Sequence, residues 1–203
     1  VCHEERGRRS EITRNQLFKE VARVAAGLRG LGVGPGDRVA GFVTNCAEAV
    51  IAYLASSSIG AIWSSCSPDF GAAGVLDRFG QIAPKVLFAV DGYHWAGKPI
   101  DTRAVIAQVV QSLPGLRATV VIGFREERPN IDSIPTSLRF AEFGNANPAP
   151  QFASLPFDHP LAIVFSSGTT GPPKCIVHGS GGVLLQHLKE HVLHTDIGPR
   201  DVV

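Results

Sequence analysis

The sequence predicts an α/β fold, a mostly parallel sheet with flanking helices. Short apolar runs alternate with amphipathic stretches of helical period, and Gly or Pro punctuates most changeovers. That alternation implies parallel strands joined by right-handed crossovers. Thr13-Arg14-Asn15-Gln16 has the form of a capping box, a hydroxyl at the N-cap with an amide three residues on. Behind it Leu17, Val21, Val24, Leu28 and Leu31 recur on one helical face. Gly32 can end this helix in a left-handed conformation, and Gly34-Pro35-Gly36-Asp37 makes the turn into a strand at 38–43. Asn45 is positioned to cap a helix over 47–58, followed by a strand at 61–64. The next helix spans 73–82, breaks at Pro84 and gives way to a strand at 86–90. A helix at 101–113, then Pro114-Gly115, leads to a strand at 118–122.

From Gly123 to Pro156 the pattern dissolves into prolines, Asn and Ser, which describes a long surface connection between subdomains. A strand at 161–165 follows, and helical periodicity returns with Val183, Leu184, His187, Leu188, His191 and Val192.

Composition narrows the function classes. The 203 residues carry 19 Lys+Arg against 18 Asp+Glu, so the net charge of +1 gives no general electrostatic reason to expect nucleic acid. The longest uncharged run, Ala49 to Pro68, holds six serines, a Gly and a Pro, and so is no membrane span. Four scattered cysteines form no C-x-x-C pair, which argues against a zinc knuckle and fits a reducing, cytoplasmic compartment. The chain has no Met, and Glu4, Glu5, Arg6, Arg8 and Arg9 leave no apolar secretory segment. Asp201-Val202-Val203 reads as the start of a cut strand, so the expectation is a piece of a longer protein.

One loop carries chemistry. Ser166-Ser167-Gly168-Thr169-Thr170-Gly171-Pro172-Pro173-Lys174 lies between two apolar runs. Glycines let the main chain approach a ligand and expose N–H groups, hydroxyls donate to phosphate oxygens, and Lys supplies a compact cation. A flexible Ser/Thr/Gly turn between strands has a similar composition. The spacing excludes a Walker A loop, since two residues rather than four separate Gly168 from Gly171 and Cys175 follows Lys174.

Ser-Ser-Gly-Thr-Thr-Gly-x-Pro-Lys resembles the signature loop of the adenylate-forming enzymes. The resemblance runs through Gly34–Val39 and narrows toward the acetoacetyl-CoA synthetase branch at Ala61–Gly71, Val75–Phe79, Lys174–Gly179 and Gln186–His191. It implies that residues 1–203 are part of the large N-terminal, AMP-binding domain of such an enzyme. It also implies substrates ATP, CoA and acetoacetate, with Mg2+, in a cytoplasmic ligase reaction of ketone-body and lipid metabolism. Ser166, Ser167, Gly168, Thr169, Thr170, Gly171 and Lys174 would hold the ATP phosphates. Trp95-Ala96-Gly97-Lys98 stands where related acetate-activating enzymes have an Arg-Ala-Gly-Arg stretch that contacts CoA. Gly97 and Lys98 carry over, while Trp95 replaces a cation and could instead stack on adenine. The family's Mg2+ carboxylate, ribose-binding Asp and catalytic Lys have no counterpart here, so no catalytic residue is expected within the chain. Activation of acetate or propionate, or a non-catalytic nucleotide-binding module, are the alternatives.

Other signals are weaker. His187-Leu188-Lys189-Glu190-His191 matches H-x-x-E-H but lacks a third ligand; a helix with its histidines partly buried is the expected reading, with no metal site. His178 faces either the site or the core. Asp69 reads as a helix cap, and Asp77 with Arg78 as an exposed ion pair.

Overall fold

The structure, a computed structural model, describes residues 2–3, 9–145, 148–166, 171–198 and 200–201. Along the chain run β1 (Cys2–His3), β2 (Arg9–Ser10), α1 (Arg14–Gly30), β3 (Arg38–Phe42), α2 (Ala47–Ser58), β4 (Ile62–Cys66), α3 (Ala72–Ile82) and β5 (Val86–Val90). Then come β6 (Gly92–Trp95), β7 (Lys98–Asp101), α4 (Arg103–Gln111), β8 (Ala118–Ile122), β9 (Ser137–Arg139), β10 (Pro160–Phe165), β11 (Cys175–Gly179) and α5 (Ser180–Leu188). Seven strands form one sheet in the order β11-β10-β4-β3-β5-β8-β9. Every pairing in it is parallel except β10 with β11. The pairs β1–β2 and β6–β7 stand apart as antiparallel ribbons.

Side-chain alternation along the strands assigns the two faces. Val86, Phe88 and Val90 of β5 join Val24, Leu28, Ile51 and Ala55 from α1 and α2. Leu87 and Ala89 face the other way, onto Val75 and Phe79 of α3 and Ile106 and Val109 of α4. Covered on both faces, β5 and β8 are buried at every position, which is why they read as uninterrupted apolar runs. Phe88 is fully buried and packs edge-on against Phe140 and Phe143.

Local signals set the ends of α1. Thr13 and Gln16 form the reciprocal capping box. At the other end Gly32 sits at φ +71, with its N–H on Arg29 O and the Val33 N–H on Leu28 O, a Schellman motif. Elsewhere tertiary context overrode the local reading. Asn45 does not cap α2; Cys46 is the N-cap, without a side-chain bond. The helix expected from residue 101 begins at Arg103, because Asp101 is paired with Gly92 across the β6–β7 ribbon. Asp69 does not cap α3, whose N-cap is Gly71. Arg78 stacks over the Phe70 ring at 4.2 Å and donates to Gly74 O rather than pairing with Asp77.

Segment 123–156 is more than a surface connection. It adds β9 to the sheet beside β8, and it buries Ile131, Ile134, Phe140 and Phe143. The α5 end differs in the opposite sense. No α5 residue is buried, and Leu184, Leu185 and Leu188 are exposed along with Ile176 and Val177 of the edge strand β11. The partly buried histidines expected there are exposed too, because nothing among the described residues packs over this face.

Candidate active site

The loop after β10 starts from a fixed base. Ala162 and Ile163 pair with Trp63 and Ser64 of β4, and Ser64 Oγ donates to Ile163 O at 2.8 Å. Phe165 and Cys175 make the last pair of the β10–β11 hairpin. Just beyond it Ser166 N–H donates to Lys174 O at 3.0 Å, and Lys174 N–H donates to Ser166 Oγ at 3.0 Å. These two bonds close the neck of the loop. The Ser166 oxygen is thus used as an acceptor, while its O–H remains a donor for a ligand. Gly171 lies on the returning arm at φ +149, with no atom of the described residues within 4 Å of where a Cβ would stand. Glycine is required there by backbone conformation rather than by space. Lys174 is exposed and makes no ion pair among the described residues. Ser167, Gly168, Thr169 and Thr170 lie outside the described residues.

A second feature is a cleft of about 550 Å³, lined by Thr44, Asn45, Ser67, Asp69, His94 and Trp95 among others. Thr44 follows β3, Ser67 follows β4, and β6 follows β5, while Ser166 follows β10. These four strands run parallel, so the cleft and the loop share the carboxyl edge of the sheet. The chain leaves β3 for β4 on one side and then crosses to β5 on the other, a topological switch point of the kind where open α/β sheets take ligands.

Trp95-Ala96-Gly97-Lys98 is the tip of the β6–β7 ribbon. Trp95 pairs with Lys98, and Ala96 and Gly97 take φ +48 and +75, the left-handed pair of a tight two-residue hairpin turn. Trp95 is 72% exposed. Buried polar atoms single out residues that the sequence did not: His94 Nε2 has no hydrogen-bond partner among the described residues, Thr44 Oγ1 has none beyond the neighbouring Cys46 thiol, and both residues line the cleft. Burial and the Asp69 charge push the Tyr93 phenol up.

The ribbon is anchored at its base. Asp91, fully buried, accepts the N–H groups of Phe124 and Arg125 at 2.8 Å and of Glu126 at 3.0 Å. Asp101 is hydrogen-bonded by Arg103 and lies near Arg125, and the Arg103 bonds hold its carboxyl below the usual range.

His187 and His191 stand ring to ring at 5.9 Å on the exposed helix, but Glu190 is taken by Gln186 at 2.8 Å and Lys189 at 3.1 Å. Among the described residues no group of three or more His, Cys, Asp or Glu could hold a metal ion. His178 is exposed, beside Tyr53 and His187 in a separate cleft, and so belongs to no core. No helix among the described residues is long and apolar enough to cross a membrane.

Comparison with known proteins places these features in a family. A model described as AMP-binding enzyme matches residues 2–203. The chain is 50% identical over 200 residues to acetoacetyl-CoA synthetase of Macaca fascicularis, covering 95% of this chain and 30% of that protein. It is 42% identical over 209 residues to malonamoyl-CoA synthetase of Penicillium aethiopicum, covering 99% of this chain and 29% of that protein. Acetoacetyl-CoA synthetase from Streptomyces lividans superposes with a TM-score of 0.88 at 47% identity, over 95% of this chain and 29% of that one. The chain therefore spans about 30% of the length of the relatives it matches.

Proposed function

The chain belongs to the AMP-binding enzyme family, and we propose that it is part of the N-terminal domain of an acetoacetate–CoA ligase. In that reaction acetoacetate attacks ATP to give acetoacetyl-AMP and pyrophosphate, and CoA then displaces AMP. Identity of 50% to an acetoacetyl-CoA synthetase, together with the closed-neck loop, carries the reading. The exposed apolar face of β11 and α5 supports the partial-domain view, since a domain completed by more chain would cover it. We take segment 123–156 as the connection between subdomains, and the cytoplasm as the site of the reaction.

In this reading the loop binds and orients the triphosphate. Ser166, Ser167, Thr169 and Thr170 offer hydroxyl donors, Gly168 and Gly171 let the main chain approach, and Lys174 neutralises charge on the departing pyrophosphate. Preorganised donors and a positioned cation are the usual means in phosphoryl chemistry. The described residues alone do not compose a Mg2+ site, so the metal is assigned no ligand here. The nucleotide end of CoA is assigned to the cleft beside Gly97 and Lys98. Trp95 offers an exposed ring for stacking, and His94 Nε2 offers a hydrogen-bonding atom without a partner among the described residues.

The substrate test is pyrophosphate–ATP exchange by the full-length parent, with acetoacetate, malonamate, acetate and propionate compared. Exchange fastest with acetoacetate supports the assignment. Faster exchange with malonamate would favour the second reading, which the 42% identity to the malonamoyl-CoA enzyme keeps in view.

A further inference from the structure

We propose that Gln81 is the positioning residue of the phosphate loop, an amide clamp reaching from α3 to fix the arm on which Lys174 stands. The inference rests on the assignment of that loop to the ATP phosphates. Gln81 Nε2 donates to Pro173 O at 2.9 Å, across 92 positions of sequence, and to Asp77 O of its own helix at 2.6 Å. Its Oε1 accepts from Cys175 Sγ at 3.6 Å. One side chain therefore holds the residue on each side of Lys174.

The chemistry of the arm explains why an outside clamp matters. Pro172 and Pro173 have no N–H, so this stretch can be fastened only through carbonyls and packing. The β10–β11 ladder ends at Phe165 and Cys175, and the neck bonds reach only Lys174. Past that point the Gln81 bond to Pro173 O ties the arm to the body of the domain. The amide can sit only one way round. Its two N–H hydrogens match two carbonyl acceptors, while its oxygen matches the thiol donor. A flipped amide, or a carboxylate, would set oxygen against both carbonyls.

Lys174 is a flexible cation, and its effect on a phosphate depends on where its root is held. Gln81 holds both residues that flank that root, Pro173 at 2.9 Å and Cys175 at 3.6 Å. Because Gln81 is exposed, the expected effect is modest.

Calorimetric titration of the full-length parent with ATP tests the assignment. Gln81→Ala and Gln81→Glu should each weaken ATP binding about three- to tenfold, with the melting midpoint little changed. The isosteric Glu variant is the telling one, because a side chain that merely filled space would be replaced by Glu without loss. Gln81→Ala combined with Lys174→Ala should bind no more weakly than Lys174→Ala alone, since Gln81 acts through Lys174. If Lys174→Ala in the full-length parent binds ATP normally, the phosphate reading fails and this inference with it. If Lys174→Ala weakens binding but either Gln81 variant does not, or if the double variant is additive, the inference alone is overturned.

Discussion

Asp37 Oδ1 lies 2.6 Å from Lys85 Nζ, which ties the turn before β3 to the residue that leads into β5. The second oxygen of Asp37 accepts the Gly34 N–H at 2.9 Å, so one carboxylate closes its own turn and joins two neighbouring strands at their entry. Burial alone would push this carboxyl up, but the Lys85 and Gly34 bonds outweigh it and hold the group below its ordinary range. A carboxyl held low binds fewer protons folded than unfolded. The stability it adds is therefore complete above its unfolded value of about 3.9 and drains as the pH falls through the lower folded one. Asp37→Asn should cost about 0.5–1.5 kcal/mol near neutrality. In thermal melts the gap between the parent chain and this variant should close below about pH 4. A gap that stays constant down to pH 2 would show that the pair does not sense the charge.

Gly171 and Lys174 should behave differently in the full-length enzyme. Gly171 holds a φ of +149, so Gly171→Val strains the returning arm and displaces whatever N–H groups it presents. Lys174→Ala removes one cation and leaves the closed neck, since both neck bonds use Lys174 backbone atoms. Its loss is worth about ten- to a hundredfold in adenylation rate, if one charge-assisted contact is felt fully in the transition state. The Val variant should lose more. Thioester formation from supplied acetoacetyl-AMP should be largely kept in both. Equal loss in the two half-reactions would reduce the loop to scaffolding.

Thiol reactivity should follow burial. Desolvation pushes Cys46 and Cys66 up to about 12, whereas Cys175 is exposed. In a Cys2→Ser background at pH 8, an aromatic disulfide reagent should titrate Cys175 rapidly, and the other two only in denaturant. ATP should slow the Cys175 reaction, because the thiol borders the loop. Fast labelling of all three in the native chain would contradict the buried placement of Cys46 and Cys66.

The 203-residue chain alone should not catalyse acetoacetate-dependent pyrophosphate exchange into ATP. It spans about 30% of its relatives' length, and its described residues compose no metal site. Exchange clearly above a blank without protein would disprove this and place the catalytic groups within the chain.

What the sequence by itself determined is local. Thr13 and Gln16 set the start of α1 because the capping bonds join residues three apart, and Gly32 set its end because only a left-handed residue completes the Schellman bonds. The runs 86–90 and 118–122 were legible as strands because both of their faces are buried. The neck of the loop, Ser166 and Lys174, lay within one short motif. Tertiary structure decided the rest, where the determining contact joins distant residues. β9 has three residues and no apolar period of its own; it exists because β8 offers it a free edge. Asp101 ends a strand rather than starting a helix because Gly92 pairs with it. Thr44 and His94 become neighbours in a cleft only once β3 and β5 lie side by side, and Gln81 meets Pro173 only once α3 packs against the sheet. A hydrogen bond between residues 92 apart leaves no periodicity and no spacing to read, so such partners are fixed by packing alone.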